Sequence, residues 1–189
     1  MPEFPHLDLP ANYRLAVGSP LDRALLLKFM QRTYAELQST NSFEHLAITV
    51  DQYLGRATPL WWVEWVVAQP AAPSYLLVGG RQPFQKVGCV WLGTGIDQLT
   101  GDRHTHVFLL YVDPAHRRQG LGTALMQQAE DWARARGDRR ISLQVFQGNQ
   151  AAVQLYTQRG YQPQAILMSK TLPLDAANPL DNHPQQNST

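Results

Sequence analysis

One segment of the chain leads from an apolar strand through a glycine-containing turn into a helix. It reads VFLLYVDPAHRRQGLG from Val107 to Gly122 and continues as TALMQQAEDWARAR. Backbone N–H groups converge where such a turn meets a helix N-terminus, and this creates an anion site without any charged side chain. Gly120 and Gly122 allow the backbone to approach a phosphate closely, and Arg117 adds a positive charge. We therefore expect a fold built around a phosphate-bearing ligand.

The spacing around the turn excludes two common phosphate motifs. A P-loop requires Lys directly after its second glycine, but Thr123 follows Gly122. The dinucleotide fingerprint G-x-G-x-x-G is met at Gly120 and Gly122, but Leu125 stands where the third glycine is required. That fingerprint is also expected near the start of a domain, whereas this turn lies past the middle of the chain.

A third pattern fits in two places. Residues 117–122, RRQGLG, match R/Q-x-x-G-x-G/A, and residues 149–156 match N-x-x-A-x-x-L-Y before Gly160-Tyr161. Both blocks, in this order, resemble the GNAT superfamily of acyl-CoA-dependent N-acetyltransferases, and the resemblance extends over about residues 106–172. It implies an α/β (α+β) fold with a central mixed, mostly antiparallel sheet flanked by helices. We expect one such domain over residues 1–172 and a flexible C-terminal tail over residues 173–189.

The resemblance also implies a ligand and a reaction. The cosubstrate is acetyl-CoA, no metal is involved, and the acetyl group passes to a primary amine by direct attack in a ternary complex. The turn amides are expected to bind the pyrophosphate, and the strand before the turn to pair with pantetheine. Asn149 either contacts CoA or only caps its helix. The residues expected to bind acetyl-CoA are Leu110, Tyr111, Val112, Arg117, Arg118, Gln119, Gly120, Leu121, Gly122, Thr123 and Asn149.

The catalytic residues are less clearly marked. Tyr156 aligns with the family tyrosine that protonates the departing thiolate, although a tyrosine at this position could equally pack in the core. Family members often carry a Glu on or beside the central strand, but Val107–Val112 contains none. His106 and Glu64 are the candidate general bases, because His has a suitable intrinsic pKa and Glu64 lies in a Trp-rich segment. A water chain could also accept the proton of the amine.

Composition excludes several other classes. A net charge of +1 argues against a nucleic-acid partner. The single cysteine, Cys89, excludes an internal disulfide framework and fits a reducing compartment. No signal peptide or membrane span is visible, so we expect a soluble cytoplasmic protein without membrane partners. The oligomeric state stays open, with a homodimer as one option.

Apolar periodicity, caps and β-prone composition predict the secondary structure. Ser19-Pro20 resembles a helix start, Gly137 and Gly160 resemble helix ends, and residues 93–105 are expected to form a polar loop. The expected helices are Leu21–Leu37, His45–Leu54, Thr123–Arg136 and Gln150–Arg159. The expected strands are Tyr13–Val17, Trp61–Val67 or Tyr75–Val78, Val87–Leu92, Val107–Val112, Ile141–Phe146 and Ala165–Leu172.

Two other functions compete with transfer. The lack of an obvious base leaves open a non-catalytic acyl-CoA-binding or sensing module, and a turn that binds no nucleotide would leave an interaction protein. A covalent route through Cys89 is disfavoured because that residue lies in an apolar run. Trp61, Trp62 and Trp65 are read as core packing in preference to an acceptor pocket, and the arginines between 134 and 140 as a solvated face.

Overall fold

The computed structural model describes residues 9–37, 43–55, 57–66 and 84–172. Helices flank both faces of a five-stranded sheet in this part of the chain. The elements in chain order are β1 (Tyr13–Val17), α1 (Arg23–Leu37), α2 (Glu44–Tyr53), β2 (Leu60–Val66), β3 (Phe84–Ile96), β4 (Arg103–Val112), α3 (Leu121–Ala135), β5 (Ile141–Leu143) and α4 (Gln150–Gln158).

The strands lie in the order β1-β2-β3-β4-β5. The first four pair antiparallel with their neighbours, whereas β4 and β5 run parallel. The sheet is therefore mixed and mostly antiparallel, which confirms the predicted fold class. Parallel neighbours require a crossover connection, and α3 provides it.

Each face of the sheet carries its own hydrophobic core. On one face, α1 and α2 pack Phe29 and Val50 against Trp62 and Tyr111. On the other face, α3 packs Leu125 and Met126 against the sheet, and α4 adds Tyr156. Each large apolar side chain buried in this way contributes about 1.5–3 kcal/mol. The sheet is thus held from both sides, which fixes the position of β4 between β3 and the edge strand β5.

The predicted start of the first helix is confirmed, with one difference in its bounds. The Ser19 side chain accepts from the Leu21 amide, and Asp22 accepts from the Ser19 amide, as in a capping box. Pro20–Asp22 form a 3-10 turn, so the α-helix begins at Arg23, two residues later than predicted.

The caps of the last two helices also match the prediction. Gly137 and Gly160 both adopt φ of +86°, which favours glycine after a helix. Asn149 Oδ1 accepts from the Ala152 amide at 3.2 Å and caps α4.

The predicted polar loop over residues 93–105 is wrong. β3 continues to Ile96 and β4 already begins at Arg103, with a short turn between them. The glycines in this segment make the strand possible instead of breaking it. A Cβ on Gly93 would lie 2.0 Å from the Phe108 ring, and a Cβ on Gly95 would lie 2.8 Å from His104 Nε2. Only glycine leaves room for these two rings.

Two predicted strands near the C-terminus are also corrected. β5 ends at Leu143, so the expected strand Ile141–Phe146 is half as long as predicted. The expected strand over Ala165–Leu172 does not form, because no neighbouring strand in the described residues pairs with it. Its alternating pattern is therefore not matched by a buried face, and Leu167 is 81% exposed.

The Trp-rich segment, as Leu60–Val66, forms the second strand of the meander. The other candidate, Tyr75–Val78, and the predicted tail at residues 173–189 lie outside the described residues. Within the described ranges, every helix is too short or too polar to cross a membrane.

Candidate functional site

Strand β4, which lies between β3 and β5, extends beyond its parallel neighbour. β5 pairs with β4 only at Thr105–Val107, while β4 continues to Val112. The register of β4 against β3 shifts next to Phe108, as in a β-bulge, and this is the point where the pairing with β5 stops. Residues 108–112 thus keep β3 on one side and an open edge on the other.

Alternation along β4 identifies the backbone groups at this open edge. The Asp113 amide donates to the Val87 carbonyl at 2.8 Å, so residue 113 faces β3. Backbone groups of successive residues point to opposite sides in an antiparallel pair. Tyr111 therefore also faces β3, whereas Leu110 and Val112 face the opening. An extended molecule with amide groups could form hydrogen bonds with Leu110 and Val112 there.

The turn after β4 orients a set of amides toward the same region. Arg118 has φ of +64° and Gly120 has φ of +79°, and both angles are in the left-handed region. The first hydrogen bond of α3 runs from the Ala124 amide to the Gly120 carbonyl at 3.0 Å. The amides of residues 121–123 therefore have no acceptor within the helix, and they can bind an anion together with the positive end of the helix dipole.

The two glycines of the turn serve different purposes. Gly120 is favoured by its backbone conformation, since its φ of +79° is in the left-handed region. Space is not the reason, because a Cβ there would meet nothing within 4 Å. At Gly122, in contrast, a Cβ would lie 3.3 Å from Leu155 Cδ2. Gly122 thus leaves room for Leu155 of α4, and this helix, which carries Tyr156, lies beside the turn.

The charged and polar side chains of the turn are engaged with the rest of the protein. Arg117 Nε donates to the Val112 carbonyl at 2.8 Å, and its Nη2 lies 2.8 and 2.7 Å from the carboxylate oxygens of Glu36. Gln119 accepts from the Tyr13 hydroxyl at 2.9 Å. Arg118 is exposed. The positive charge expected from Arg117 is therefore partly neutralised by the carboxylate of Glu36 on α1.

Tyr156 lies in the core between α3 and the sheet. Its side chain is 9% exposed, and its ring centroid is 5.8 Å from that of Tyr161. Burial raises the pKa of Tyr156 to about 12, so its phenol stays protonated at neutral pH. A protonated hydroxyl can donate to a developing thiolate.

His106 takes part in a polar cluster between β4 and β5. His106 Nδ1 and His104 Nε2 each lie 2.8 Å from Ser142 Oγ. Burial, and then the nearby His104, lower the pKa of His106. His106 is therefore neutral at physiological pH and able to accept a proton.

Glu64 lies in a different place, on β2 against α1. Arg14 Nη2 lies 2.7 Å from Glu64 Oε2, so the carboxylate is already paired. Glu64 borders a groove of about 450 Å³. The groove is lined by Leu25, Lys28, Phe29, Arg32, Glu64, Phe84, Gln85 and Lys86.

A larger depression lies away from this chemistry. It has a volume of about 550 Å³ and follows the outward face of α4. No titratable side chain lines it, and none of its residues belongs to the turn or to β4. We therefore place the candidate site at the open edge of β4 and not at this depression.

The structure explains several other residues as structural. Cys89 is fully buried, and burial raises the pKa of its thiol, which argues against a nucleophile. Trp61 and Trp62 are buried in the two cores, and Trp65 packs on His116 at 5.1 Å. Three of the four arginines between residues 134 and 140 form ion pairs. The pairs are Arg134 with Glu130 and Asp131, Arg136 with Asp138, and Arg140 with Asp97. Across the described ranges, no three metal-binding side chains cluster together.

Two residues at the site were not expected from the sequence. Glu36 binds Arg117 across 81 positions, and Ser142 binds His106 across 36. Neither residue belongs to a motif, and no local pattern signals such distant contacts.

Comparison with known proteins gives a consistent result. The model of the acetyltransferase (GNAT) family matches residues 32–161. An uncharacterized N-acetyltransferase of Methanocaldococcus jannaschii is 25% identical over 109 residues, 57% of this chain and 46% of that protein. The [ribosomal protein bS18]-alanine N-acetyltransferase of Escherichia coli K12 is 38% identical over 71 residues, 38% of this chain and 47% of that protein. The chain spans about half the length, or less, of the curated relatives it matches.

Solved structures show the same fold. A predicted acetyltransferase with acetyl-CoA from Clostridium acetobutylicum has a TM-score of 0.61 at 13% identity, covering 84% of this chain and 96% of that one. An aminoglycoside acetyltransferase from an uncultured soil metagenomic sample, in complex with sisomicin, has a TM-score of 0.60 at 13% identity, covering 86% and 97%. At such identity the likeness concerns the fold alone.

Proposed function

Because the chain belongs to the acetyltransferase (GNAT) family, we propose that it is an acyltransferase that moves an acetyl group from acetyl-CoA to a primary amine. The membership confirms the resemblance drawn from residues 117–122 and 149–161. The observation that supports the proposal most strongly is the open edge of β4 at residues 108–112, which lies directly before the left-handed turn at Arg118 and Gly120. A long ligand with an amide-bearing arm and a pyrophosphate fits this combination.

The described groups divide the binding of acetyl-CoA between them. The amides of residues 119–123 bind the pyrophosphate in this proposal, with the dipole of α3 behind them. Leu110 and Val112 form hydrogen bonds with the amides of pantetheine, as a neighbouring strand would. A backbone amide of the same strand polarises the thioester carbonyl, since a fixed dipole needs no reorganisation during reaction.

Direct attack by the amine then requires a base and an acid. His106 is the better base candidate, because it is neutral and half-buried, whereas Glu64 is held by Arg14. Tyr156 supplies the acid, since its phenol is protonated and lies on the helix that packs against the turn. The amine nitrogen forms the new bond to the acetyl carbon, the C–S bond breaks, and the thiolate receives a proton.

The acceptor is a primary amine of unassigned structure. One relative is a ribosomal protein bS18-alanine N-acetyltransferase, and a structural neighbour is an aminoglycoside acetyltransferase. These names supply probes, namely a short peptide with an N-terminal alanine and sisomicin.

Calorimetric titration with acetyl-CoA, CoA and NAD is the first test. We expect selective binding of the two CoA species in the micromolar range, about −8 kcal/mol. Equal binding of NAD, or no binding of CoA, would exclude the proposed site. Release of free thiol from acetyl-CoA in the presence of each amine probe is the second test. Binding of acetyl-CoA without transfer to a broad amine panel would instead support a sensing module.

A further inference from the structure

A single hydroxyl group links two histidines at the point where β4 separates from β5. Ser142 Oγ lies 2.8 Å from His104 Nε2 and 2.8 Å from His106 Nδ1. A hydroxyl carries one hydrogen, so it donates to one ring and accepts from the other. The tautomers of the two histidines are therefore coupled through Ser142.

The surrounding strands fix both rings in place. Gly95 leaves room for the His104 ring, and Gly93 leaves room for the Phe108 ring. Phe108 packs edge-on against His106, with ring centroids 5.4 Å apart. His104 is 8% exposed, whereas His106 is half-buried. The arrangement thus has one buried end, at His104, and one accessible end, at His106.

Only two arrangements of hydrogens satisfy the bridge. In the first, His106 Nδ1–H donates to Ser142, Ser142 donates to His104 Nε2, and His106 Nε2 is free to accept a proton. In the second, His104 Nε2–H donates to Ser142, Ser142 donates to His106 Nδ1, and His106 Nε2 carries the hydrogen of that ring. In both arrangements His104 Nδ1 is buried without a hydrogen-bond partner among the described residues. This atom therefore favours neither arrangement.

We propose that Ser142 and His104 are positioning residues that hold His106 in the first arrangement, with its Nε2 directed to the acceptor amine. The proposal rests on the proposed function, in which His106 is the base. An amine N–H that donates to Nε2 reinforces this arrangement, which the Ser142 bridge already holds in the free protein. When Nε2 accepts the proton, the imidazolium still donates from Nδ1 to Ser142, so no further group has to move.

The charged groups on the elements next to the cluster comprise two ion pairs and the exposed Asp102 and Arg103. On the elements next to His104 and His106, Arg140 pairs with Asp97 and Arg136 pairs with Asp138. His104 is the neighbouring group that acts electrostatically on the pKa of His106. Changes at His104 and Ser142 therefore have distinct and predictable effects on His106.

Nitrogen-15 spectra of the imidazole rings test the arrangement without any substrate. At pH 8 we expect the Nδ1–H tautomer to predominate for His106 in the full chain. Ser142→Ala should abolish this preference, while Ser142→Thr, which keeps the hydroxyl, should retain it. A His106 that carries its hydrogen on Nε2, or a preference unchanged in Ser142→Ala, would overturn the proposal.

The pH dependence of acetyl transfer to the alanine peptide or sisomicin provides the second test. Ser142→Ala should move the acidic limb to lower pH by about one unit, because the imidazolium loses an acceptor. His104→Gln should not move it to lower pH, because the glutamine oxygen can still accept from Ser142 and the electrostatic effect of His104 on His106 is removed. A purely structural effect would lower the rate without moving the limb, and that result would overturn the proposal.

The two tests separate this inference from the function. If the unaltered protein transfers acetyl to no amine, the proposed function fails, but the spectra still show whether Ser142 sets the tautomer of His106. If transfer occurs and the spectra show the opposite tautomer, only the positioning role fails.

Discussion

Glu36 on α1 holds the guanidinium of Arg117, the first residue of the glycine turn, with Nη2 within 2.8 Å of both carboxylate oxygens. The most conspicuous positive charge of the turn is thus balanced before any ligand arrives. Both side chains are about 40% exposed, at 42% for Arg117 and 39% for Glu36, so water and salt weaken the pair. We therefore expect the affinity for an anion to depend mainly on backbone amides.

Removal of the Glu36 charge should strengthen the binding of acetyl-CoA. Glu36→Gln frees Arg117, and we expect an affinity gain of about two- to fivefold at low salt, in line with a partly exposed ion pair. Calorimetry at two salt concentrations measures this gain, which should shrink at high salt. Glu44→Gln on α2 makes the same charge change as a control. Equal gains in both variants would show that net charge alone is responsible.

A negative charge at the turn should prevent binding. Gly120→Asp places a carboxylate beside the amides, whereas Gly120→Asn adds a side chain of the same shape without charge, and both residues tolerate left-handed backbone. We expect acetyl-CoA affinity in the Asp variant to be at least about tenfold below that of the Asn variant, a difference of ~1.4 kcal/mol. Similar affinities in two folded variants would contradict a phosphate site here.

A substitution at Gly122 should impair binding for a different reason. A Cβ at this position would lie 3.3 Å from Leu155, so Gly122→Asp should displace Leu155 and weaken its contact with α3. We expect a lower melting temperature together with lost CoA affinity. Gly120→Asn, in contrast, should keep a melting temperature close to that of the unaltered protein, and a similar loss in both would refute the packing role of Gly122.

Tyr156→Phe should separate chemistry from binding. The ring fills the same space, so we expect acetyl-CoA affinity to change less than about twofold while turnover falls by about 10–100-fold, the range for loss of an acid catalyst. Steady-state kinetics and calorimetry on the same preparation measure both quantities. If turnover is unchanged and single-turnover kinetics show that chemistry limits the rate, Tyr156 has only a packing role.

The buried phenol also predicts how stability varies with pH. Burial raises the pKa of Tyr156 from 10.0 to about 12, so the unfolded chain loses this proton first as the pH rises. The stabilisation is complete below pH 10 and is lost as the pH rises through 12, at most about 3 kcal/mol. Urea unfolding between pH 9 and 12 should show a smaller alkaline loss for Tyr156→Phe. An identical loss in both proteins would exclude this contribution.

The two candidate bases give opposite expectations. Burial and His104 lower the pKa of His106, so activity should persist below pH 6.5, and His106→Ala should reduce the rate and flatten the acidic limb. Glu64→Gln should leave that limb in place, because Glu64 is engaged with Arg14. pH–rate profiles of both variants decide the matter, and a limb that disappears only in Glu64→Gln would reverse the assignment.

Local chemistry made much of the fold predictable from sequence. The Ser19-Pro20 start, the Gly137 end and the Asn149 cap depend on residues within one turn, and all are present. The strand Tyr13–Val17 is also found with the predicted bounds. The turn at Arg118–Gly122 was recognisable for the same reason, since its backbone chemistry requires glycine at defined spacing.

The larger errors concern contacts between distant segments, whereas the late start of α1 at Arg23 is a local one. Gly93 and Gly95 suggest a loop when viewed alone, and only the rings of Phe108 and His104 explain why a strand needs them. Residues 165–172 alternate like a strand, but pairing depends on a neighbour that the pattern does not reveal. Ser142 was missed as a partner of His106 because nothing near it in sequence indicates a polar contact across two strands.

The short β5 has a thermodynamic consequence. With only three residues paired, the last five residues of β4 are held by β3 alone. An extended ligand along this edge would act as a temporary sixth strand, and each hydrogen bond that it forms would also restrain the backbone of β4. Amide hydrogens at Leu110 and Val112 would then exchange with solvent more slowly in proportion to ligand occupancy, which makes the sheet itself a reporter of binding.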